Sequence, residues 1–163
     1  MSNIILVHGA WGGAWEFKSM IKSLQEKGHR AQAIDLPGHG ESREAISEVT
    51  MDAYVQRVIE TVEAESVPVT LVGHSLAGSV ISQVAEVIPE KIERLVYVCA
   101  LLPANGDSPL SLMQSDAKGE LLPFIEFSAD QSYVTVSDEL VKNSLLNDVS
   151  DTEQLLAYCL TSE

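Results

Sequence analysis

The sequence predicts an α/β protein, three layers deep and built on a mostly parallel sheet, from three observations. Apolar, β-branched runs alternate with segments of helical periodicity through the first hundred residues. Those runs show little polar alternation, as in strands covered by helices on both faces. One of them, from Val69 to Val72, stops at Gly73-His74-Ser75, and small residues then open a helix.

Ile4 to His8 reads as the first central strand, and His8-Gly9-Ala10-Trp11-Gly12-Gly13 as a flexible loop after it. Phe17, Met20, Ile21 and Leu24 recur at i, i+3, i+4 and i+7, which predicts a helix ended by Gly28. Arg30 to Asp35 is a shorter strand, closed by the turn Leu36-Pro37-Gly38-His39-Gly40. Thr50 caps a second amphipathic helix with Met51, Tyr54, Val55, Val58, Ile59 and Val62 on one face. Pro68 breaks it before the Val69 strand. The helix from Leu76 to Ile88 carries apolar and small residues widely around it and is stopped by Pro89. Arg94 to Ala100 is the fourth strand. This order implies a parallel sheet wound by right-handed crossovers; the expected spatial order is 2-1-3-4, with the first strand beside the third so that the Ala10 and Leu76 amides after them can converge.

After Pro103 the alternation stops. Residues 106–163 are acidic and mostly helical in pattern, and Ser150-Asp-Thr-Glu153 forms a capping box before a last helix. The expected organisation is a core over 1–105 with an incomplete sheet and a partial helical lid or cap segment over 106–163.

Composition excludes some classes of partner. The net charge is −14, from 24 acids against 10 bases, whereas phosphate neutralisation needs Lys and Arg; neither nucleic acid nor an anionic membrane is an expected partner. No apolar run approaches the roughly 18 residues of a membrane span. The start lacks the basic region and cleavage site of a secretory signal. Cys99 and Cys159 form no metal or disulfide spacing. Both are expected as buried thiols of a reducing cytoplasm. The fourth strand, read as apolar on both faces, is expected to present an unpaired edge along residues 94–102, which favours a homo-oligomer.

The chemistry concentrates at Ser75. A serine on a sharp strand-to-helix turn has its Oγ pushed up from the sheet edge, with small flanking residues giving clearance. Ala77 and Gly78 supply that clearance. The Leu76 amide falls at the start of the helix, where free N–H groups favour negative charge. The plainer alternative is an ordinary turn in which Ser75 is the N-cap.

Together, His8-Gly9-Ala10-Trp11 with Gly13-Ala14-Trp15, Asp35-Leu-Pro-Gly-His39-Gly40 and Gly73-His74-Ser75-Leu76 resemble the α/β-hydrolase family. They are most similar to small esterases related to plant methylesterases and hydroxynitrile lyases. The resemblance covers residues 1 to about 105 strongly; Leu146-Asn-Asp148 and the last helix look like that family's lid. It implies the N-terminal part of that fold and ester hydrolysis through an acyl-enzyme on Ser75. It also implies an oxyanion hole formed by the Ala10 and Leu76 amides, a small-molecule ester substrate, and no cofactor or metal. The lyase branch carries a hydroxyl residue after the first loop histidine; Gly9 stands there in this chain, favouring ester hydrolysis.

In the family the orienting acid and the histidine base follow the lid, in the order Ser, acid, His. This chain offers His8 and His39 in turn motifs, His29 at an exposed helix end, and His74, whose side chain should point away from the neighbouring hydroxyl. Asp107 reads as a solvated turn residue. Neither a base nor an acid is found, and turnover by the chain as written is expected to be weak or absent. The alternative function is a non-catalytic or truncated module that holds a small apolar ligand or a partner chain.

Overall fold

The structure, a computed structural model, describes residues 1–42, 44–45, 48–119 and 121–137. The expected Ser150 capping box, the Leu146-Asn-Asp148 segment and Cys159 lie outside the described residues. The chain divides into two compact units, Met1–Pro109 and Leu110–Glu163.

The first unit holds four parallel strands: β1 (Asn3–Val7), β2 (Arg30–Ile34), β3 (Val69–His74) and β4 (Ile92–Val98). Their order in the sheet is β2-β1-β3-β4, with β1 beside β3 as expected. Successive side chains of a strand face opposite sides, and β1 separates two cores accordingly. Ile5 and Val7 pack with Val69 and Leu71 beneath α2 (Met51–Glu63) and α3 (Ala77–Val87). Ile4 and Leu6 pack with Val72 and Phe17 on the other face, against Ile21 and Leu24 of α1 (Lys18–Glu26). Thr50 caps α2 as expected, its hydroxyl accepting from the Ala53 amide at 3.0 Å. In the second unit, α4 (Pro109–Ser115) is followed by an antiparallel hairpin of β5 (Ile125–Phe127) and β6 (Val134–Val136). That hairpin departs from the helical pattern expected there. All its strand residues but Glu126 are β-branched or aromatic, and Gln131 at φ +57° lets the loop turn back.

The register of β1 and β3 fixes the working end of the sheet. Val7 pairs with Gly73, so the loops after both strands leave from the same level. Around it the chain is packed too closely for side chains at two glycines. A β-carbon on Gly73 would lie 2.9 Å from the Ala77 carbonyl oxygen. One on Gly78 would lie 2.0 Å from the Leu101 carbonyl oxygen. The small residues after Ser75 therefore let α3 settle against the segment that follows β4.

Strand β4 runs from Ile92 to Val98 rather than from Arg94 to Ala100, because Cys99 turns the backbone to φ +44° and ends the pairing. Its Tyr97 hydroxyl lies 2.8 Å from Ser82 Oγ, tying β4 to α3. Among the described residues β4 has one sheet neighbour, β3. Cys99 is exposed, not buried as expected; the same left-handed turn carries it out of the strand.

The contact at Gly78 gives a direct test of this packing. Gly78→Ala is expected to cost about 2 to 3 kcal/mol in urea denaturation, as overpacking against backbone does. A loss below about 0.5 kcal/mol, the level of an ordinary surface change, would show that α3 can slide away from Leu101.

Candidate active site

Ser75 has φ +53°, in the left-handed region that a residue with a β-carbon rarely adopts. It is not the N-cap of α3: Leu76 takes that position, and no side chain caps the helix. The plainer reading of the turn is thereby set aside. Backbone bonds hold the strained turn. The Ser75 amide donates to the Val98 carbonyl at 3.4 Å, while its carbonyl accepts from Gly78 at 3.2 Å and from Leu101 at 3.0 Å. Its hydroxyl bonds to no described residue, consistent with an Oγ presented to a substrate.

The loop after β1 closes on this serine. A β-carbon on Gly9 would lie 2.8 Å from Ser75 Cβ and 3.3 Å from Oγ, so only glycine lets the loop approach so closely. Ala10 follows, one residue from that contact. Neither the Ala10 nor the Leu76 amide donates a hydrogen bond to any described residue. Ala10 lies in the loop after β1 and Leu76 directly follows Ser75. Three non-glycine residues with positive φ, Trp11, Ser75 and Cys99, follow β1, β3 and β4 at the same end of the sheet; such strain gathers at functional sites.

Polar latches hold the loops. His8 is fully buried. Its Nδ1 donates to the Gly9 carbonyl at 2.7 Å and its Nε2 accepts from the Leu36 amide at 3.1 Å, which defines the neutral tautomer. Burial is the main cause of a pKa lowered to about 4, with the Gly9 carbonyl opposing. Asp35 accepts from the Ala14 amide at 2.7 Å through Oδ1 and from the Glu41 amide at 3.1 Å through Oδ2. That carboxylate joins the loop after β1 to the loop after β2, a role that no spacing in the sequence signals.

No histidine is placed as a base among the described residues. His39 Nδ1 donates to the Pro37 carbonyl at 3.0 Å, and its ring lies 5.2 Å from that of His8. His29, half-buried rather than exposed, accepts from the Ser2 amide at 3.3 Å. His74 turns to the α1 side of the sheet, its Nδ1 3.8 Å from Glu16 Oε2, and burial lowers its pKa. Asp107 accepts from the Ala104 amide at 2.8 Å within its own turn, as a turn residue should. Glu16, which carries no signal in the sequence reading, has its pKa raised to about 7, chiefly by burial, against the lowering effect of the Gly13 amide.

A parallel sheet with a serine elbow after its third strand defines the class of α/β enzymes built on that junction. The chain belongs to the Alpha/beta hydrolase family, which matches residues 4–159. It is 40% identical over 115 residues to a carbendazim hydrolyzing esterase from Nocardioides sp. (strain SG-4G), covering 69% of this chain and 48% of that protein. Identity is 38% over 110 residues to an alpha-hydroxynitrile lyase of Arabidopsis thaliana, covering 66% of this chain and 43% of the lyase. It is 34% over 119 residues to the putative methylesterase 14, chloroplastic, of the same plant, at 71% and 34% coverage. The chain spans less than half the length of these relatives. Its fold matches the crystal structure of polyneuridine aldehyde esterase with a TM-score of 0.86 at 23% identity, over 98% of this chain and 68% of that one.

The buried histidine links this site to pH. Its folded pKa of about 4 lies below its ordinary 6.5, so the unfolded chain takes up the proton first on acidification. The stability His8 contributes is whole above pH 6.5 and is lost as pH falls toward 4, in all about 3 kcal/mol at ~1.4 kcal/mol per pH unit. Urea denaturation of His8→Asn at pH 7 and at pH 4.5 is expected to show a clearly smaller loss between the two than the native chain does. An equal loss would mean that other groups carry the acid sensitivity.

Proposed function

We propose that the protein hydrolyses small carboxylic esters through an acyl-enzyme on Ser75. The observation that carries this is the strained, unbonded Ser75 between two free amides, Ala10 and Leu76. Ser75 Oγ attacks the ester carbonyl and its proton passes to a base. The carbonyl oxygen becomes an oxyanion that the two amides stabilise, as donors aimed at developing charge do. Collapse expels the alcohol, which takes up the proton, and water then releases the acid and restores Ser75 by the same steps. The names of the esterase and methylesterase relatives support this class. Gly9 supports hydrolysis over cyanohydrin cleavage, because a hydroxyl side chain there would meet Ser75 at once.

Among the described residues no group is placed to act as the base. The four histidines of the chain are all described, and none bonds to Ser75 Oγ. We assign the base and its orienting acid to further sequence of a longer protein or to another chain. We also assign a second copy of this chain to the β4 edge along residues 94–102, where Val98 is 38% and Leu102 69% exposed. Pairing about a two-fold axis would continue the sheet. A cytoplasmic location fits two cysteines without disulfide spacing.

Two measurements check these assignments. Without a base, Ser75 loses at least about one to two orders of rate, so a fluorophosphonate probe is expected to label the chain slowly, on Ser75 alone, and not in Ser75→Ala. Equal labelling of that variant would remove Ser75 as nucleophile, and rapid labelling would reveal a base within the chain. Sedimentation over a concentration series is expected to show a dimer or higher species that added salt favours, since screening weakens the repulsion of a −14 chain. A monomer at micromolar concentration and moderate salt would contradict the edge assignment.

A further inference from the structure

One buried side chain, that of His8, is bonded to the very peptide group that carries the Ala10 amide. His8 stands one residue beyond Val7, which pairs with Ile34 of β2, and Leu36 stands two residues beyond that partner. The register therefore brings an imidazole from the end of β1 against a backbone N–H from the loop after β2. That N–H can only donate, and it does so to Nε2 at 3.1 Å. Nε2 is thus unprotonated and the ring proton sits on Nδ1, which donates to the Gly9 carbonyl at 2.7 Å. The ring is held in this pose. It is fully buried and lies 5.2 Å from the His39 ring. Its partner Leu36 is fixed in a turn by the His39 amide, which donates to the Leu36 carbonyl at 3.0 Å.

The Gly9 carbonyl and the Ala10 N–H are two ends of one planar, trans peptide unit and point in opposite directions. Holding the oxygen therefore aims the N–H. The ring lies against Leu36 and His39, both after β2, so it draws the carbonyl to that side. The N–H then faces the other neighbour of β1, which is β3 with its elbow. There a β-carbon on Gly9 would lie 3.3 Å from Ser75 Oγ, and the Ala10 amide donates to no described residue. We propose that His8 is a positioning residue for the oxyanion hole, its Nδ1–H fixing the Gly9–Ala10 peptide so that the Ala10 N–H faces an oxygen bound at Ser75. The inference rests on the assignment of Ser75 and Ala10 made above. A latch that only joined two loops could hold any carbonyl of the first loop. His8 holds the one whose own peptide supplies the donor, and the Leu36 bond selects the tautomer that can do so.

Two measurements on the full 163-residue chain test this. Imidazole nitrogen NMR signals of the native chain at neutral pH are expected to show His8 protonated at Nδ1. A ring protonated at Nε2 would overturn the proposal without recourse to any variant. The second measurement compares fluorophosphonate labelling of Ser75 in His8→Asn and His8→Gln. The Asn amide nitrogen takes the Nδ1 position and keeps a donor for Gly9, whereas Gln reaches the Nε2 position and keeps only an acceptor for Leu36. Each variant leaves one buried backbone group unpaired, so urea denaturation is expected to show a similar loss of stability in both. Labelling is expected to separate them. It should be about tenfold slower in His8→Gln, part of the roughly 100-fold that loss of an oxyanion donor costs, and within about twofold of native in His8→Asn. A folded His8→Gln that labels as fast as the native chain, or no more slowly than His8→Asn, would overturn the proposal while leaving Ser75 in place. Label found away from Ser75 would remove the nucleophile assignment, and this inference with it.

Discussion

A residue with a β-carbon in the left-handed region costs about 1 to 3 kcal/mol and persists only where its surroundings over-determine it. At Ser75 those surroundings can be named. The chain beyond β4 donates to its carbonyl through Leu101, and the start of α3 does so through Gly78. Gly73 removes the β-carbon that would push α3 off β3, and Gly78 the one that would force α3 and the segment after β4 apart. Gly9 removes the one that would push the first loop off the serine. Each glycine answers a different close approach, and all three approaches follow from the single turn at Ser75.

That turn would be of little use without the pairing of β1 with β3. Their parallel register brings Val7 and Gly73 level, so the loop after one strand, at Gly9, meets Ser75 after the other. The first loop is then held by polar groups rather than by packing. His8 bridges Gly9 and Leu36, and Asp35 bridges Ala14 and Glu41. Both are satisfied by backbone partners, which is what allows polar groups to lie so close to the core. The result is a loop of small residues that is nevertheless fixed. An oxyanion site needs that, because its donors must be in place before charge develops.

Much of this is legible in the chain. Unbroken apolar runs mark covered strands, the spacing of Phe17, Ile21 and Leu24 marks the face of α1, and Thr50 marks the start of α2. Ser75 and Leu76 can be read because the elbow is local, its strand, turn and helix lying within a few residues. Other features depend on contacts made only after folding. The role of Asp35 arises from residues distant in sequence, Ala14 and Asp35, meeting at one end of the sheet. The exposure of Cys99 depends on a backbone turn at a strand end, where hydrophobic pattern carries no information. The β5–β6 hairpin has strands of three residues each, too short for alternation to stand out from a helical pattern.

The central claim is that the Ala10 and Leu76 amides serve one oxygen on a group attached to Ser75. The measurement that tests it most directly is a crystal structure of the chain after prolonged reaction with a methylphosphonate probe. The phosphoryl oxygen is predicted to lie about 2.7 to 3.2 Å from both amide nitrogens, within hydrogen-bond distance. A phosphoryl oxygen turned to solvent, with either amide unengaged, would contradict the account.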